Sequence, residues 1–367
     1  MIALTSVSLL VFVEGLCSFV LLIWELPYLR PAVSHENFHV QYDPDLGWVN
    51  APNVSVPDLY RPGVGIHINS QSLRADREYT KEVPAGMTRA ICLGDSFTMG
   101  FGVRDDQTWC HLLTRISRDL ETLNMGQGGY GLDQAYLRYR RDGEKFDHNI
   151  AILAFISDDI RRLASNPAKP NLEIENGRLI IKNTPVPRSA SSQSAWMRIL
   201  YYFQGLRFME LVYRIRNRSI KQTFSKSEGE TQARNFEIAV AVFEDFARLA
   251  KNRNALPVFV YLPTLEDHVR KEGYSFSAVF APTFKSKGLF FLDLTPVFRD
   301  LTPFEAQELF LRKEDFPNTA TPRNAARHYS MKGNQFVATY MYKFFLELTS
   351  GNKPRLSQVT SPQGRVS

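Results

Sequence analysis

Apolar residues recur along this chain in two rhythms. Ala90-Ile-Cys-Leu93, Thr122-Leu-Asn-Met125, Ile150-Ala-Ile-Leu-Ala-Phe-Ile156, Leu256–Leu262 and Leu289–Leu294 are short, apolar-rich runs of strand length. The run Ile150–Ile156 holds no polar residue, as a strand buried on both faces of a parallel sheet requires. Between these runs lie stretches with helical spacing: Trp109–Leu120, Asp133–Arg141, Thr231–Lys251 and Asn334–Leu348. In the third of them the apolar positions are Phe236, Ile238, Val240, Val242, Phe243, Phe246 and Leu249. Strands alternating with helices in this way predict an α/β fold on a doubly wound parallel sheet.

Two segments precede the alternation. From Ile2 to Trp24 the only charged residue is Glu14. As a helix, residues 2–24 would reach about 34 Å, enough to cross a bilayer core, and they predict a single-pass membrane anchor. No basic stretch precedes the run and no small-x-small site follows it, which argues against a cleaved signal peptide. Arg30, the first basic residue after it, leans by the positive-inside rule toward a cytoplasmic body. Residues 35–88 are rich in Pro, Gly, Asn and Asp and predict an irregular, strand-containing lead-in packed on the main domain. That domain is expected over 89–350, with an insertion at 166–230 where the alternation breaks. Residues 351–367 form a polar tail expected to be disordered.

Composition narrows the function only by exclusion. Of 367 residues, 44% are apolar and 22% charged, an ordinary globular balance. The formal net charge is +6, and no zinc-finger, RNA-binding or helix-turn-helix signature accompanies it, so no nucleic-acid partner is implied. From Arg207 to Lys226 six basic residues face a single acid, Glu210, and interleave with Phe208 and Tyr213; a solvated helix face is the commoner reading, an anionic lipid surface the alternative. Cys17, Cys92 and Cys110 have no metal-ligand spacing, and neither a metal nor a cofactor is implied.

Candidate chemistry gathers where the predicted strands end. The first leads into Gly94-Asp-Ser-Phe-Thr-Met-Gly100, and ligands of open parallel sheets bind beyond the carboxyl ends of the strands. Ser96 there is displayed as a nucleophile would be, although Asp/Ser/Gly clusters also simply cap helices. The second strand runs into Asn124-Met-Gly-Gln-Gly-Gly-Tyr-Gly131, whose glycines let backbone N–H groups approach a ligand. Gly126-x-Gly128-x-x-Gly131 fits a dinucleotide fingerprint, but in the second strand unit and without the acid that should follow a clear strand. Among seven histidines, His35, His39 and His67 fall in the lead-in, His111 inside a helix, His148 at the amino end of a strand and His268 in a charged helical stretch. His328, directly before the last helix, remains as the partner for Ser96.

Together these blocks resemble the SGNH (GDSL) hydrolase superfamily. Gly94-Asp95-Ser96 with Phe97-Thr98-x-Gly100, Asn124-x-Gly126-x-x-Gly129, and His328 followed by Gly333-Asn334 match its ordered motifs over roughly Gln41 to Leu348. The resemblance implies a flavodoxin-like, three-layer α/β/α fold and a serine hydrolase acting on ester bonds. It assigns Ser96 and His328 to catalysis and Ser96, Gly129 and position 158 to the oxyanion hole. Tyr42-Asp-Pro-Asp-Leu-Gly-Trp48 and Asn69-Ser-Gln-Ser-Leu-Arg74 are similar to membrane-anchored bacterial members, which implies an extracytoplasmic site and an acylated glycan or lipid as substrate. Two positions depart from the pattern. Asp158 stands where the family has an asparagine, and an ionised carboxylate cannot donate; losing one oxyanion donor typically costs about 100- to 1,000-fold in rate. A local shift would let the Ser157 hydroxyl donate instead. Ala325 stands where the family places the acid that orients the histidine, leaving that task to Asp315, Asp293 or a backbone carbonyl. An acyltransferase using the same serine, and a catalytically degenerate binding protein, are the alternatives.

Overall fold

The computed structural model describes residues 12, 14–15, 39–164, 166–187, 224–269, 276–316 and 327–349. The chain divides into two compact units, Met1–Val33 with Arg188–Arg234, and Ser34–Pro187 with Asn235–Ser367. In the first, Phe12, Glu14, Gly15 and the opening of one helix are described. The anchor expected over residues 2–24, save those three, the basic stretch up to residue 223 and the tail 351–367 therefore lie outside the described residues. Among the described residues no helix is long and apolar enough to cross a membrane.

The second unit is organised around five parallel strands: β5 (Thr88–Leu93), β6 (Leu120–Asn124), β7 (Ile150–Phe155), β10 (Leu256–Tyr261) and β11 (Phe290–Asp293). They lie in the order β6-β5-β7-β10-β11. Counted along the chain this is the second, first, third, fourth and fifth strand, the flavodoxin-like order, whose switch point lies between β5 and β7. Strand periodicity sorts the side chains into two cores. Ile91, Leu93, Leu153, Phe155, Phe259 and Tyr261 pack on one face of the sheet. Ala90, Cys92, Ile152, Ala154, Val258 and Val260 pack on the other. Helices α3 (Leu132–Arg141) and α5 (Phe224–Asn252) cover the first face through Tyr136, Tyr139, Phe243 and Phe246. Helices α2 (Trp109–Ile116) and α10 (Met331–Thr349) cover the second through Trp109, Leu113, Val337 and Met341. This unit is therefore a three-layer α/β/α sandwich.

Several boundaries differ from those the sequence predicts, for local reasons. Helix α2 ends at Ile116 rather than Leu120, because a turn returning Leu120 N–H to the Ser117 carbonyl at 3.1 Å starts β6 early. The stretch read as an insertion contains an antiparallel hairpin, β8 (Asn171–Glu175) and β9 (Arg178–Lys182). Asn176-Gly177, both at positive φ, close it as a two-residue turn, the strongest short hairpin signal a sequence carries. The lead-in folds as two further hairpins, β1 (Val40–Asp43) with β2 (Gly47–Asn50) and β3 (Val54–Arg61) with β4 (Val64–Ile68).

Candidate active site

The sharp turn at the end of β5 is built from its own sequence. Asp95 is the N-cap of the four-residue helix α1 (Ser96–Met99), accepting from Phe97 N–H at 2.8 Å. Ser96 is thereby the first helical residue, and its N–H has no acceptor within the helix. Two buried side chains then fix the turn. Asn124, at the end of β6, donates from Nδ2 to Thr98 O at 3.0 Å and accepts from Gly126 N–H at 2.9 Å. Arg74, from the lead-in, donates to Met99 O at 2.8 Å, Gly100 O at 2.5 Å, Val103 O at 2.6 Å and Asp105 at 2.7 Å. Gly126 lies so close beneath α1 that an added Cβ would fall 2.2 Å from Met99 N.

The glycine loop after β6 closes as a turn, with Tyr130 N–H donating to Gln127 O at 3.3 Å. Gly129 occupies its third position at φ +77°, a conformation that favours glycine. Trp48 Nε1–H donates to Gly128 O at 2.9 Å, so the peptide that carries the Gly129 N–H is held from its carbonyl side. Among the described residues neither the Ser96 nor the Gly129 N–H has an acceptor.

His328 arrives from the far end of the chain. Its carbonyl accepts from Leu311 N–H at 2.8 Å, and the Ser330 N–H donates to Leu309 O at 2.8 Å, pinning the backbone on both sides. Tyr329 anchors the same segment to the end of β10 through Pro263 O at 2.6 Å. The outcome is a distance of 2.7 Å between His328 Nε2 and Ser96 Oγ. Both line a cavity of about 910 Å³ together with Gly128, Gly129, Trp48, Asp158 and Arg161. Its place beyond the strands' carboxyl ends is where such sheets bind ligands.

The remaining candidates fall less simply. Asp158 does line the cavity, but its carboxylate is bridged by Arg161, with Nε at 2.7 Å. An ionised carboxylate paired in this way accepts hydrogen bonds and offers none, the difficulty that its place at the asparagine position already raises. Ala325 lies outside the described residues. The two acids considered in its stead are engaged elsewhere: Asp293 accepts from Thr295 N–H at 2.9 Å and Asp315 from Arg312 N–H at 2.7 Å.

Three features escaped the reading of the sequence. His39, set aside as a lead-in residue, is buried and lines the cavity. Burial, with the charge of Arg74 adding to it, holds its imidazole down at about 4, so it is a neutral ring near pH 7. Behind Ser96, Arg162 donates to Asp159 at 2.7 Å and Tyr130 O at 2.9 Å and reaches Asp95 at 3.4 Å, tying together the loops after β5, β6 and β7. Burial and the neighbouring Asp95 push the Asp159 carboxyl well above the usual carboxylate range. The Asp159–Arg162 spacing of three on a helical turn was the available signal. Trp48 lies in a block quoted for its resemblance alone, without a role.

No protein-family model and no curated protein matches the chain. Solved structures that resemble it include a member of the lipolytic protein G-D-S-L family from Veillonella parvula, at 11% identity, with 71% of this chain and 98% of that one covered and a TM-score of 0.38. An acetyl xylan esterase is similar at 14% identity, covering 70% and 98% with a TM-score of 0.39. A psychrotrophic esterase from Pseudoalteromonas is similar at 11% identity, covering 72% and 100% with a TM-score of 0.39.

Proposed function

We propose that this chain is a serine-dependent ester hydrolase of the SGNH type, working by acyl transfer through Ser96 and His328. The observation that carries the reading is the 2.7 Å separation of Ser96 Oγ and His328 Nε2 at the floor of a cavity beyond the strand ends. His328 takes the hydroxyl proton as Ser96 Oγ bonds to the ester carbonyl carbon and the carbonyl electron pair moves onto oxygen. The N–H groups of Ser96 and Gly129, which have no other acceptor among the described residues, are the donors for that oxyanion. Collapse of the intermediate expels the alcohol, which leaves with the proton from His328. Water, deprotonated by the same imidazole, then releases the acid and restores the serine.

The cavity is at the upper end of the range for small-molecule sites, room for an acyl group together with part of the alcohol that carries it. An acylated glycan or lipid is the substrate class we favour, with residues 2–24 as the anchor that holds the enzyme at a membrane. A fluorophosphonate probe should label the wild type at Ser96 and neither Ser96→Ala nor His328→Ala. Both substitutions should lower kcat on short acyl esters by about 10⁴-fold or more. An unlabelled wild type with no turnover would sink this reading in favour of a binding protein that has kept the cleft.

A further inference from the structure

The imidazole of His328 is held by more than its bond to Ser96. Phe97 and Phe101 both pack against it, with ring centroids at 4.9 and 4.8 Å and tilts of 34° and 36°. These shallow angles bring ring faces, rather than edges, toward the imidazole. Neither phenyl ring is free to turn away. Phe97 is buried and meets Tyr329 edge-on at 4.9 Å, and Tyr329 is itself tied to Pro263 O. Phe101 is buried and meets Tyr60 of β3 at 4.7 Å and 63°. Its backbone N–H donates to Ser96 O at 3.0 Å, so it belongs to the same turn as the nucleophile. The loop that carries it is the one whose carbonyls Arg74 gathers.

We infer that Phe97 and Phe101 are positioning residues for His328, and that they stabilise its imidazolium form during acyl transfer. The inference rests on the esterase reading above and deepens it. When the Oγ–H bond of Ser96 breaks and Nε2–H forms, the imidazole gains a full positive charge within reach of two phenyl faces. The negative face of an aromatic ring attracts a cation, more strongly where water is excluded. In a triad that charge is met by a carboxylate, which also sets the plane of the ring. Here the two phenyl rings add a plane and a counter-field of their own.

A phenylalanine fluorinated on three ring carbons keeps the shape of the side chain and weakens its negative face. Placed at 97 or at 101, it should lower kcat on a short acyl ester by about 3- to 30-fold per ring while leaving KM unchanged. Phe97→Leu and Phe101→Leu should each lose at least as much, because they also remove packing from the imidazole face. Wild-type kcat in both fluorinated proteins, or a rise in KM with kcat intact, would overturn the electrostatic role. The positioning role has its own readout in Ser96→Ala protein, where no catalysis is needed. There the His328 ring protons should carry an upfield ring-current shift in NMR spectra that relaxes in Phe97→Leu. An unshifted ring would overturn the positioning even if the wild type proved to hydrolyse no ester.

Discussion

The loops that leave β5 and β6 and those that leave β7 and β10 face one cavity but are held by different means. At the first pair, Ser96 and Gly129 stand on backbone gripped by buried side chains: Asn124, Arg74 and, beneath them, a glycine with no room for a Cβ. At the second pair a buried Asp159 is held by Arg162, but the side chains that line the cavity, Asp158, Arg161 and Glu266, are about half exposed and make exposed ion pairs, Glu266 with the still more exposed Arg327. A buried backbone carbonyl or N–H must have a partner, so the first pair admits few residue types at each position. Exposed ion pairs are worth little and can be exchanged at small cost. It is at Asp158, and at Ala325 near the end of the chain, that the sequence departs from the pattern it resembles.

The harshest test of that contrast is Arg74→Met, which takes a charged donor away from three loop carbonyls and the Asp105 carboxylate at once. It should cost about 3–5 kcal/mol, read as a lowered urea midpoint, and carry esterase activity down with it. A midpoint and a kcat both like wild type would mean the lead-in does not hold the nucleophile turn.

Acid provides the next. The unfolded His39 imidazole takes up a proton as pH falls below its ordinary 6.5, whereas the folded one resists until about 4. The folded state binds fewer protons across that window, so stability falls as pH drops from 6.5 to 4 and is level again below it. The full difference is about 3 kcal/mol, and His39→Leu should flatten this part of the stability–pH curve. Parallel curves for the two proteins would remove His39 as the cause.

The smallest effect belongs to Asp158→Asn. Breaking its exposed pair with Arg161 should move the unfolding midpoint by no more than about 1 kcal/mol. Because an amide can donate toward the cavity, kcat should rise; a large loss of kcat would give Asp158 a role of its own.

Much of this was legible beforehand. Strand and helix periodicity gave the alternation, and the blocks around Ser96, Asn124 and His328 stand at strand ends or just before the last helix. The β8–β9 hairpin is legible too, through Asn176-Gly177, although α/β alternation alone does not reveal it. Hidden from the sequence were His39 and Trp48 in the cavity wall, the Arg162 crosslink and the two phenyl rings on His328. Each depends on which surfaces of distant segments meet, and no spacing along a chain encodes that.

The sequence by itself therefore determined the sheet and the turn chemistry at its strand ends, because side-chain periodicity and glycine or N-cap requirements act over a few residues. Only the tertiary structure decided that His328 lies 2.7 Å from Ser96 and that the lead-in forms a wall of the cavity. Those outcomes depend on burial: segments remote in sequence come together where their apolar faces leave water and their polar groups find partners.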